Sequence, residues 1–136
     1  MNDIILKEEK QIENLVYEIR GIQVMLDSDL ANLYHCKNGT KEINQAVKNN
    51  PDKFPDYYSW KLTDKESEDL LVKIFDQKRK IDTRGGKFKN PRVFTEQGIA
   101  MLATILKTEV ATKVSIRIID EDIVKNVLLE CINKII

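Results

Sequence analysis

SDLANLYHCKNGTKEINQAVKNN, residues 28–50, holds two short runs of helical periodicity separated by a turn. Leu30, Ala31, Leu33 and Tyr34 form the apolar face of the first run, and Asp27 or Ser28 is placed to cap it. HCKNG reads as a turn, because Asn38-Gly39 readily takes positive φ. Thr40 is expected to cap the second run, residues 40–50, and Pro51 to end it. At about 100° per residue, Ile43, Ala46 and Val47 of that run share one face. Lys41, Gln45 and Lys48 fall opposite, with Asn44 and Asn49 at the margins. The stretch therefore predicts a helix-turn-helix-like pair whose second helix shows amides and cations outward. Amides make paired hydrogen bonds to adenine edges, and lysines meet phosphate or guanine. The same residue types also suit an ordinary solvated helix face.

Upstream, VYEIRGIQVML is rich in β-formers with Gly21 at its centre, and predicts a hairpin from Val16 to Leu26. The residues before it, ILKEEKQIENL, read as a short amphipathic helix. Downstream, FPDYYSWKLT reads as an aromatic-rich strand. Thr63 stands three residues before Glu66, a capping-box spacing that opens a helix over DKESEDLLVKIF. DQKRKIDTRGGKFKNPRVF reads as two short strands around Arg84-Gly85-Gly86-Lys87, a wing-like hairpin. Thr95 caps a further helix, EQGIAMLATIL. A long helix is expected over 109–136, with a break near Asp120-Glu121-Asp122, although VSIRII has the β-branched composition of a strand. The expected class is thus α+β: one small mixed domain over 1–136, with an N-terminal hairpin, a helix-turn-helix-like pair, a basic hairpin and C-terminal helices.

Apolar residues make up 42% of the 136, enough for a real core. Lysine plus arginine equals aspartate plus glutamate at 22 each, so any attraction to nucleic acid must come from a local cluster. Such a cluster exists. Between residues 78 and 92 lie Lys78, Arg79, Lys80, Arg84, Lys87, Lys89 and Arg92 against the single acid Asp82, a net +6. A ribbon of that charge can follow a phosphate backbone, gaining affinity from counterion release. It can equally be a solvated loop whose lysines guard a strand edge.

Other chemistry is sparsely represented. Glu96 sits in the first turn of a helix, where the helix dipole accounts for an acid, and no His, Cys or second carboxylate is placed by sequence to act with it. Gly98 inside that helix implies a close contact, expected from the first helix of the pair. His35 and Cys36 supply at most two metal ligands, so no metal or cofactor is expected. Trp60, Phe54, Tyr57 and Tyr58 suit a core more than a base-stacking platform. Cys36 and Cys131 have no pairing motif, which with the absence of a leader-like or membrane-spanning run suggests a cytoplasmic protein with free thiols.

LDSDLANLY, INQAV, KFP, KLT and FTEQGIAML, in that order over about residues 19–119, resemble the N-terminal domain named after phage open reading frame six (ORF-six-N), which is related to the KilA-N and Bro-N domains. The resemblance implies a phage- or prophage-associated DNA-binding domain, usually at the front of a regulatory or antirepressor-like protein, with neither cofactor nor catalysis. This chain departs from the family pattern at KNN, where Asn49 replaces a basic residue, and at Asp120-Glu121-Asp122, whose acids belong away from phosphate. It is either a lone domain or a piece of a longer protein.

The expected function is transcription regulation by binding double-stranded DNA. Lys41, Asn44, Gln45, Lys48 and Asn49 would read or position, while Arg84, Lys87, Lys89 and Arg92 would anchor on phosphate. The alternative is a protein–protein module that binds a regulator and not DNA. Ile123, Val124, Val127, Leu128, Cys131, Ile132 and Ile135 form a wide stripe in the C-terminal helix that suits packing or a homodimer seam, and serves either reading.

Overall fold

The computed structural model describes residues 12–79 and 90–120. Strands β1 (Val16–Ile19) and β2 (Ile22–Leu26) form the expected hairpin. Its two-residue turn, Arg20-Gly21, has positive φ at both positions, 56° and 73°, which matches the right-handed twist of paired strands. Two short strands complete a four-stranded sheet of order β1-β2-β4-β3, antiparallel at every pairing: β3 (Ser59–Lys61) and β4 (Arg92–Phe94). Strand alternation sends successive side chains to opposite faces. Met25 and Phe94 join one core with Leu30, Ile43 and Leu102. Val24, Leu26, Trp60 and Val93 join another with Leu70 and Ile74. The sheet is therefore the middle layer between two helical layers.

On the first face lie α1 (Asp27–Leu33), α2 (Thr40–Asn49), α4 (Glu96–Leu106) and α5 (109–120). On the second lies α3 (Asp64–Asp76). The helix pair forms as its periodicity predicted, with Ile43, Ala46 and Val47 buried. Its caps differ from expectation. Asp27 is the first residue of α1 and accepts from the Ser28 amide, so Leu26, running straight out of β2, is the capping position. Gly39, at φ 61° and ψ −140°, holds the capping position of α2 instead of Thr40. That conformation is open to glycine and strained for a residue with a β-carbon. Pro51 does end α2, leading into a single 3₁₀ turn, Pro51–Lys53.

The FPDYYSWKLT segment contributes only a three-residue strand, because Tyr58 and Ser59 turn back onto the Pro55 carbonyl. The first of the two expected ribbon strands is absent among the described residues: 76–79 close α3 in a C-terminal turn with Lys78 at φ 57°. The tip of that ribbon, with Arg84, Gly85, Gly86, Lys87 and Lys89, lies outside the described residues, as do the N-terminal amphipathic segment before Ile12 and the apolar stripe of 123–135. VSIRII is helical, not a strand. Ala111, Ser115 and Ile118 recur at helical spacing and are buried, and Ser115 Oγ sits 2.7 Å from the Tyr34 hydroxyl.

Thr63 and Glu66 form the capping box predicted for α3. Glu66 also receives a two-point contact from Arg20 at 2.8 and 3.0 Å. Those bonds hold its carboxyl at about 2, well below its ordinary 4.5, with burial opposing and the Thr63 amide helping. A lowered folded-state value contributes stability that is complete above 4.5 and is lost as pH falls towards about 2. Glu66→Gln is expected to flatten this acid limb in urea titrations between pH 5 and 2 while costing less than about 1 kcal/mol at pH 7, since Arg20 is half exposed. An unchanged acid limb would show that other carboxylates set it.

Candidate nucleic-acid interface

A groove of about 850 Å³ opens where α2 meets the β3 edge of the sheet. Asn44, Val47 and Lys48 supply one wall; Ser59, Trp60, Lys61 and Arg92 supply the other, with Arg20 and Asp56 also lining it. Four cations thus face a space that holds one carboxylate of its own. The register explains the second wall: Lys61 pairs with Arg92 across β3 and β4, and Trp60 pairs with Val93.

Arg92 is half-buried, and its Nη1 donates to Ser59 Oγ at 3.2 Å. Ser59 Oγ in turn donates to the Val93 carbonyl at 2.9 Å. Burial pulls the Arg92 guanidinium below its ordinary value, with Asp27 and Asp56 opposing. No described carboxylate forms an ion pair with it. A partly desolvated guanidinium held by one neutral hydroxyl keeps most of its donor fork for an incoming anion. Arg20 is differently placed: it is bound to Glu66 and its guanidinium carbon lies 4.8 Å from the Trp60 ring centre. It supports the wall more than it offers free charge.

The helix-pair residues separate by role. Lys41, Gln45, Lys48 and Asn49 are exposed. Gln45 Nε2 donates to Asn49 Oδ1 at 2.8 Å, so the two amides one helical turn apart form a joined surface. Asn44 is half-buried, and its amide nitrogen donates to Asp27 Oδ2 at 3.1 Å and to the Thr40 carbonyl at 3.0 Å. One amide hydrogen ties α2 to the start of α1 and the other bonds the first residue of its own helix, so Asn44 positions the helix instead of facing outward. Only Asn44 and Lys48 of the five predicted α2 residues line the groove; the others sit on the adjoining outer face.

The basic window is tied down at both described ends. Arg79 Nη2 donates to Asp29 Oδ1 of α1 at 2.6 Å, and its Nη1 bonds the Tyr17 hydroxyl. At the other end the Asn90 amide donates to Ser67 Oγ of α3 at 3.2 Å. Arg92 then carries the window into the groove. Arg84, Lys87 and Lys89 lie outside the described residues. Lys61, Ser59 and Arg20 were missed from the sequence. Alternation around Trp60 within a strand was the available signal for Lys61; the Asp29–Arg79 pair, fifty residues apart, left none.

FTEQG has a mechanical explanation. Thr95 Oγ1 accepts from the Gly98 amide at 3.3 Å and caps α4 as predicted. The Tyr58 carbonyl accepts from both the Thr95 amide, at 3.0 Å, and Thr95 Oγ1, at 3.1 Å. A β-carbon on Gly98 would stand 2.1 Å from that same carbonyl oxygen. The close neighbour is thus the backbone of residue 58 and not the first helix of the pair. The motif clamps α4 to the segment that delivers β3 to the groove.

The family model of the ORF6N domain matches residues 14–105. The chain belongs to the ORF6N family. The match runs from the turn before β1 through nearly all of α4, and so takes in the ORF6N helix pair, the whole sheet and both walls of the groove. The family is of phage type. Searches of curated proteins and of solved structures returned no match. Among the described residues, no group of three or more His, Cys, Asp or Glu is arranged to hold a metal ion. No described helix is long and apolar enough to cross a membrane.

Proposed function

We propose that this ORF6N chain is a double-stranded-DNA-binding module of a phage-type regulatory protein, acting as a binder and not as a catalyst. The observation that carries the reading is Arg92: the last cation of the +6 window stands in a groove walled on its other side by α2. The helix that offers amides and the last cation of that segment therefore meet at one place. In this reading α2 approaches a major groove with Lys41 and the Gln45–Asn49 pair towards base edges. Lys48, Lys61 and Arg92 hold the flanking phosphates, and Arg84, Lys87 and Lys89 extend the grip along the backbone. Asn44, occupied by Asp27, sets the pitch of α2.

Fluorescence anisotropy with labelled duplex DNA across a salt series tests this. Lys48→Ala with Lys61→Ala is expected to weaken binding to all sequences alike and to reduce the log–log salt slope by about 2, one unit per phosphate contact. Lys87→Ala with Lys89→Ala is expected to do the same. Gln45→Ala is expected to leave the slope alone and to lose about 1–3 kcal/mol of discrimination at a selected site. Absence of binding at low salt by folded protein would overturn the proposal.

A further inference from the structure

Arg20, Arg79 and Arg92 are held in two different ways. Arg20 and Arg79 are each gripped by a carboxylate, Glu66 at 2.8 Å and Asp29 at 2.6 Å. Arg92 is held by a hydroxyl: its Nη1 donates to Ser59 Oγ at 3.2 Å, and no described carboxylate forms an ion pair with it. A carboxylate fixes a guanidinium and offsets its charge, whereas a hydroxyl fixes it and leaves the charge whole. Two acids bear on Arg92 from further off, Asp27 and Asp56. Asp27 is engaged elsewhere, by the Ser28 amide at Oδ1 and by Asn44 at Oδ2. Lys48 and Lys61 line the same groove, and their like charge favours driving Arg92 out of it until an anion arrives.

Ser59 can hold Arg92 because its own place is fixed. It is 1% exposed, and its amide bonds the Pro55 carbonyl at 3.2 Å. It follows Tyr58, whose carbonyl is clamped by Thr95. The Ser59 hydroxyl proton goes to the Val93 carbonyl at 2.9 Å, so towards Arg92 the oxygen only accepts. With Nη1 on Ser59, the Nε–Nη2 edge of Arg92 has no partner among the described residues. That edge can form two parallel bonds to two oxygens of one phosphate. We infer that Ser59 is a positioning residue of the groove: it presents the Nε–Nη2 edge of Arg92 to one backbone phosphate and holds it there before the duplex arrives. The inference rests on the DNA reading above and adds how its central cation is aimed. An arginine side chain has much rotamer freedom to lose, so holding it beforehand tightens binding. Lysine is a point charge and cannot make the side-on pair.

Anisotropy with labelled duplex DNA and the full chain, across a salt series, reads the effect. Ser59→Ala is expected to weaken binding about fivefold with the salt slope unchanged, because no charge is removed. Ser59→Cys keeps nearly the same volume with a weak acceptor, and is expected to weaken binding alike, which separates the lost acceptor from a void. Arg92→Ala is expected to lower the slope by about 1, and Arg92→Lys to keep the slope yet bind more weakly than the parent. The deciding variant is Ser59→Ala with Arg92→Ala, expected to bind within about twofold of Arg92→Ala alone. A second readout needs no DNA: nitrogen relaxation of the Arg92 Nε–H group in the free protein is expected to report an ordered side chain in the parent and a mobile one in Ser59→Ala. Full additivity of the two substitutions, or equal Nε order in the two proteins, would overturn the inference and leave the DNA reading intact. Absence of duplex binding by the folded parent would overturn that reading, and the role of Ser59 with it.

Discussion

Gly98→Ala is expected to destabilise the protein by roughly 3 kcal/mol, at the upper end of overpacking costs. Alanine in place of glycine within a helix ordinarily stabilises by nearly 1 kcal/mol, so the predicted sign is the reverse of the local rule. The added β-carbon would meet the Tyr58 carbonyl oxygen at 2.1 Å and its carbon at 3.0 Å. Backbone cannot swing away as a side chain can, and this carbonyl is held by two bonds from Thr95. Relief would have to come from sliding α4 off residue 58, which breaks the cap at Thr95 and disturbs Phe94, fully buried between sheet and helices. Thermal unfolding should show a fall in Tm of about 10 °C. Tyr58→Ala is the control: it removes the ring and leaves the carbonyl, so it should not rescue Gly98→Ala. A Tm equal to or above the parent's in Gly98→Ala would show that α4 is not clamped there.

Arg79→Met is expected to cost about 3 kcal/mol, the lower end for breaking a buried ion pair, since a fifth of the Arg79 side chain still meets solvent. The cost falls on what remains. Asp29 is almost wholly buried, and its Oδ2 already has no partner among the described residues. Without Arg79 its Oδ1 would lose its partner as well. Burial already pushes the Asp29 carboxyl above its ordinary value, with Arg79 pulling the other way. Removing Arg79 should push it further up. A raised folded-state value gives stability that is present below the unfolded value of about 3.8 and lost as pH rises through the folded one. The deficit of Arg79→Met should therefore shrink on acidification from pH 7 to 4, and adding Asp29→Asn should remove most of its pH dependence. Urea unfolding at several pH values reads both effects, and a pH-independent deficit would mean that lost packing, not a stranded carboxylate, is responsible. The same pair fastens the start of the basic window to α1, so weaker DNA binding in the variant is expected beyond its loss of one charge.

The parts of this molecule that were legible in the sequence are those in which a residue acts on its near neighbours along the chain. The helix pair follows from the spacing of Leu30, Ala31, Ile43 and Val47, the hairpin from β-formers around Gly21, and the caps at Thr63 and Thr95 from side chains three residues from the amides they satisfy. FTEQGIAML and its companion motifs carried the ORF6N family because order and spacing survive in one dimension. The caps of α1 and α2 were misread because strand β2 delivers the chain directly into α1 and because Gly39 alone accepts the φ of its turn. VSIRII was ambiguous because β-branched residues serve either period, and only burial of Ala111, Ser115 and Ile118 against the domain selects the helix. What no spacing could encode is approach from a distance. The Tyr58 carbonyl against Gly98, Arg79 against Asp29, and Lys61 and Arg92 across from Lys48 depend on which strands pair and on what that pairing desolvates. The sequence by itself set the elements, the family and the concentration of charge. The tertiary structure decided that Arg92 lines the groove beside α2 while Arg79 is held by Asp29, because the worth of a cation depends on the burial and partners around it.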